Sequence, residues 1–213
     1  MKQTHVREFS KPNLENPSLV AGLLDIGNIG KTVAKLLIEF TCAELFAELY
    51  SPTFPDYVFI DKEGICQLPK YEFYASAKSR NIVILTGDSQ PPLEDIPAHY
   101  EVCGDTLDFA LNLGCSSIIT MAGAPSPHPT NAVYVAGTSR KQVEKFVENG
   151  AVPYMGGRII GAPGLLLGLA EKRGLKGVCL LGSTTGLKTD REAAFRVYKI
   201  LKNVLGTEVL EGL

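Results

Sequence analysis

Apolar positions in the 213-residue chain fall into two rhythms that alternate along its length. Short near-continuous apolar runs predict strands at 18–24, 81–87, 116–123, 132–138 and 177–182. Between them, longer 3.6-residue patterns predict helices. The first covers 30–50, with Lys31, Lys35 and Glu39 on one polar stripe and Val33, Leu37, Phe40 and Leu45 off it. Others are expected over 97–113, over 140–149 and, after Pro163, up to Gly174. A last helix covers 190–205. Ser139 with Gln142, and Thr189 with Glu192, have capping-box spacing, and Gly150 and Gly206 supply stops. A strand and a tight turn are expected at 157–162. The runs 57–60 and 71–77, joined through a Gly turn, read as neighbouring antiparallel strands.

Four of these strands, 18–24, 81–86, 117–121 and 177–181, are apolar on both faces. A strand buried on both sides needs helices above and below it, which is how parallel α/β sheets are covered. The expected fold is a three-layer α/β/α sandwich with a mostly parallel central sheet and some antiparallel strands at one side. Residues 1–16, polar and proline-containing, are expected to form an extended N-terminal arm, and 17–213 a single α/β domain.

Charge narrows the function. Twenty-one basic and 23 acidic residues are spread along the chain for a net charge of −2, and no basic stripe for nucleic acid emerges. No apolar run reaches the roughly 18 residues of a membrane helix, and the first residues carry no signal-like apolar segment. Five cysteines, Cys42, Cys66, Cys103, Cys115 and Cys179, form no CxxC and lie mostly in apolar runs. They read as buried free thiols in a reducing cytoplasm.

Candidate chemistry centres on LLDIGNIGKT, 23–32, which ends in the Gly-Lys-Thr of a phosphate-binding P-loop. The first glycine of that motif would stand at position 25, where the chain has Asp25. A carboxylate there repels phosphate. Gly22, Gly27 and Gly30 also miss the dinucleotide spacing. The segment therefore reads as a strand-to-helix turn, with Gly27 and Asn28 tolerating positive φ and Gly30 allowing close approach to the sheet. An anion near Gly30 and Lys31, on the free N–H groups of the helix start, stays open.

Asp25 and Asp88 both follow strands, and with Ser183 and Thr184 they could converge on a strand-end cleft where one carboxylate acts as a base. Asp and Ser also cap turns at such places in most α/β proteins. Lys31, Arg140 and Arg158 are candidate phosphate ligands. His5, His99 and His128 lack ligand spacing, and no G-x-S-x-G occurs, so no metal, cofactor or hydrolase elbow is expected.

Four segments in order carry a resemblance: Gly27-Asn28-Ile29-Gly30 before a long helix, ILTGDSQPP (84–92), TMAGAP (120–125) and IIGAPGLLLGLAEKRGLKGVCLLGST (159–184). Together they resemble the archaeal and eukaryotic proteasome-assembly-chaperone family, in its assembly chaperone 2-like domain, over roughly 17–206. The resemblance implies a fold similar to nucleoside phosphorylases and self-association into homo-oligomers. It further implies a cytoplasmic, non-enzymatic role in assembling proteasome α-subunits through protein contacts, for which the loop 125–131 and the N-terminal arm are candidates. Asp25 departs from the small residue often found there. Some relatives end in a hydrophobic–Tyr–any-residue tail; this chain reads Glu211-Gly212-Leu213 at its end. The alternative is a nucleoside phosphorylase- or hydrolase-like enzyme, or a small-molecule binder, using the cleft near Asp25 and Asp88.

Overall fold

The computed structural model describes residues 1–76 and 81–206. In chain order the strands and helices are β1 (His5–Glu8), β2 (Ser18–Gly22), α1 (Ile29–Thr41), β3 (Glu44–Tyr50), β4 (Phe59–Ile60), β5 (Cys66–Gln67), β6 (Tyr71–Ala75) and β7 (Ile82–Gly87). They continue with α2 (Ile96–Asn112), β8 (Ser117–Pro125), β9 (Val133–Gly137), α3 (Arg140–Val147), β10 (Val152–Pro153), α4 (Ala162–Lys172), β11 (Lys176–Thr184) and α5 (Arg191–Leu205).

Strands β7, β2, β8 and β11, the four that are apolar on both faces, lie side by side and parallel at the centre of a sheet ordered β1-β3-β6-β7-β2-β8-β11-β9-β10. Their alternation divides the core. Leu19, Val83, Leu85 and Ile118 pack with Val102, Leu107 and Leu166 of α2 and α4. Val20, Ile82, Ile84 and Met121 pack with Val33, Leu37 and Val197 of α1 and α5, where Phe146 of α3 joins them. Two helices thus cover one face and three the other, which is the three-layer arrangement expected. Antiparallel pairing is confined to the flanks: β6, β3 and β1 on one side, β9 against β11 on the other.

Several boundaries differ from the sequence pattern. The helix expected over 30–50 stops at Thr41, because Cys42 takes a left-handed conformation (φ 49°) and Ala43 N–H closes back on the Ile38 carbonyl at 3.0 Å. Residues 44–50 then form β3. Ala, Glu and Leu there favour helix, but β1 and β6 flank the segment on both sides and bury Phe46, Ala47 and Leu49. Tertiary pairing outweighs propensity.

The 57–60 run does not pair with 71–77: β4 closes a small hairpin with β5, while β6 lies between β3 and β7. Residue 77 is outside the described residues. No strand forms at 157–160, where consecutive Gly156 and Gly157 at φ 73° and 98° break extended backbone; the short strand is β10, beside β9. Helix α5 is capped by Asp190, whose carboxylate accepts from Ala193 N–H at 2.9 Å, and not by Thr189. Within the arm, β1 adds an edge strand to β3, and Phe9 N–H donates to the Phe46 carbonyl at 2.8 Å.

Candidate functional site

The turn between β2 and α1 is built by backbone that lies too close for side chains. A Cβ on Gly22 would stand 2.1 Å from the Gly30 carbonyl oxygen, and one on Gly30 would stand 2.4 Å from that of Met121. Gly27 at φ 75° and Asn28 at φ 50° swing the chain over the sheet end. Asn28 donates through Nδ2 to Thr189 Oγ1 at 3.1 Å, and Asp190 N–H donates to the Gly27 carbonyl at 2.9 Å, so the turn also seats the start of α5.

Asp25 decides what this turn can hold. Its Oδ2 accepts from Gly30 N–H at 2.7 Å and its Oδ1 from Ile29 N–H at 3.2 Å. The carboxyl group occupies the helix start that a P-loop offers to phosphate, so those amides already have an internal acceptor. Burial pushes the Asp25 carboxyl up to about 7, against the opposing pull of the backbone amides of Gly30, Ile29, Gly123 and Lys31.

Asp25 also lines a cleft of about 650 Å³ at the carboxyl ends of β2, β7 and β8, on the face covered by α4. Ile26, Leu93, Tyr154, Arg158 and Ile160 share its walls. Gln90 braces the loop after β7 by donating through Nε2 to the Leu24 carbonyl.

Asp88 is not part of that cleft. It accepts from Lys31 Nζ and lines a separate recess of about 290 Å³ with Lys35, Glu72 and Tyr74. Ser183 Oγ accepts from Thr130 N–H at 3.0 Å and Thr184 Oγ1 from Gly186 N–H at 3.2 Å; both are buried and pin loops. Arg140 pairs with Glu144 on the surface, whereas Arg158 reaches the cleft. Cys103, Cys115 and Cys179 are buried as expected, and burial pushes their thiols up to about 12, which keeps them protonated near neutrality. Cys42, just past α1, and Cys66, in the β4–β5 hairpin, are instead exposed. Among the described residues no His, Cys, Asp and Glu cluster could hold a metal ion.

Sequence reasoning missed most of the cleft wall. Pro92, Leu93, Tyr154 and Ile159 are ordinary apolar residues with no spacing that announces a site. A signal was nonetheless present: residues from all four segments behind the family resemblance, or directly beside them, meet around this one cleft.

Comparison with known proteins places the whole fold. The chain superposes on PbaB of Pyrococcus furiosus, an archaeal proteasome activator, with a TM-score of 0.88 and 37% identity, covering 99% of this chain and 90% of PbaB. PbaA of the same organism, an archaeal homolog of proteasome-assembly chaperone, matches with a TM-score of 0.79 and 26% identity over 95% of this chain and 86% of PbaA. An uncharacterized protein of Methanocaldococcus jannaschii is 30% identical over 184 residues, which is 85% of this chain and 70% of that protein. Residues 19–212 match the PAC2 family, and the chain belongs to that family.

Proposed function

We propose that this protein is a non-enzymatic partner of the proteasome, which assists assembly or activation by binding α-subunits through its folded surface. It works as a homo-oligomer in the cytoplasm. The observation that carries this reading is the match to an archaeal proteasome activator over 99% of the chain. The surface supports it. Loops present large apolar side chains to solvent. Leu93 and Ile160, which line the strand-end cleft, are 82% and 78% exposed. Met155, next to the lining residue Tyr154, is 88% exposed, and Leu187, in the loop after β11, is 90% exposed. Exposed apolar groups gathered at one end of a molecule mark protein contact sites. The loop 125–131 belongs to the same end, tied to β11 by Ser126 N–H on the Thr184 carbonyl at 2.8 Å.

Native mass spectrometry of the protein, recovered gently from its own cells, tests the reading. The expected species is a homo-oligomer carrying proteasome α-subunits in fixed stoichiometry. A double Leu93→Asp, Leu187→Asp variant that remains folded should lose those subunits. Recovery of the folded protein free of proteasome subunits in every preparation would overturn the proposal.

A further inference from the structure

Asp25 is an ionisable group without a counter-charge. Among the described residues no salt bridge reaches it. Lys31, six positions along, is committed to Asp88 in the neighbouring recess. Arg158 shares the cleft but is exposed, so water solvates its charge. The Cys179 thiol, whose charge would also act on Asp25, is kept neutral by burial. The carboxylate is meanwhile held in place by Ile29 and Gly30 N–H, so its geometry is set before any ligand arrives.

The surrounding cleft supplies a complementary environment. Ile26, Leu93, Ile159 and Pro163 offer hydrocarbon walls, and Tyr154 adds an aromatic ring of the kind that attracts cations. An anion partly stripped of water and lacking a counter-ion is stabilised by a cation that enters with it. A cleft of about 650 Å³ suits a small molecule. From these placements we propose that the cleft binds a small apolar primary ammonium compound, its N–H groups donating to the Asp25 carboxylate and its hydrocarbon body lying between Ile26, Leu93 and Ile159. This site shares Leu93 with the proposed subunit-binding surface, but it rests on Asp25 and does not require that partnership.

Calorimetric titration of the full chain at about pH 8, where Asp25 is ionised, tests it with three probes of equal length: n-hexylammonium, n-hexanol and hexanoate. In the natural protein the ammonium should bind saturably and at least about ten-fold more tightly than the alcohol, with the carboxylate weakest. Asp25→Asn should abolish the ammonium's advantage over hexanol. Ile159→Ser should weaken ammonium and alcohol together. Ammonium binding no tighter than hexanol in the natural protein, or no saturable ammonium binding at all, overturns the proposal, and that arm needs no variant to fold. Affinity unchanged in both variants would place the ligand elsewhere and overturn it equally.

Discussion

At Asp25 the chemistry of one residue sets both a stability profile and the identity of a turn. Its carboxyl rises from an ordinary 3.8 to about 7 through burial, so the folded protein holds a proton that the unfolded chain releases. Its contribution to stability is therefore complete below about pH 4 and is lost as pH rises through about 7. Urea unfolding of the natural protein and Asp25→Asn across that window should show the natural protein losing stability relative to the variant as pH rises. Parallel profiles would refute the assignment. The neighbouring glycine makes a separate prediction. Gly30→Ala drives a methyl against the Met121 carbonyl and should cost about 1–3 kcal/mol. Gly168→Ala, inside α4 with no atom within 4 Å of the added Cβ, should instead gain about 0.5–1 kcal/mol. Thermal unfolding of the pair separates close approach from helix propensity.

The elements divide into those whose ends are written locally and those whose ends are not. Ser139 does cap α3, accepting from Gln142 N–H at 3.4 Å, as the capping spacing predicts. For α5 two adjacent residues offer the same chemistry, and spacing alone selects the wrong one. Thr189 is drawn away by Asn28, a residue 161 positions earlier, which leaves Asp190 to take the helix N–H. Asp190→Ala should thus cost about 1 kcal/mol and Thr189→Ala clearly less, measured by chemical denaturation. An equal cost would contradict the cap assignment. Strand β3 carries the same lesson in larger form. Read locally, its residues continue α1; between β1 and β6 they become the second strand from one edge. The information that converts them lies in Val6 and Phe73, which pack around Leu49, Ala47 and Phe46.

For the whole molecule, net charge and apolar exposure predict how partners are held. With a net charge of only −2, long-range attraction contributes little, and large apolar groups at and near the cleft, Leu187, Met155, Leu93 and Ile160, are exposed. The proposed association with proteasome subunits should then survive a rise from about 0.05 M to about 0.5 M salt, a range that screens surface charges. Complexes sized by sedimentation at both ionic strengths would check this. Dissociation on adding salt would point to charged contacts in place of apolar ones. The described helices include none long and apolar enough to cross a membrane.

The sequence by itself determined the layered α/β class and its centre, because a strand apolar on both faces can be satisfied only between two helical layers. It also disqualified the P-loop, since Asp25 stands where glycine is required. Tertiary structure alone decided that this carboxylate seats itself on the helix amides, that Asp88 turns instead to Lys31, and that distant apolar segments close one cleft around Asp25. The physical reason is range. Periodicity and motif spacing report on neighbours a few residues apart, whereas the choice of partner for a buried charge depends on side chains that meet only when the strands have paired.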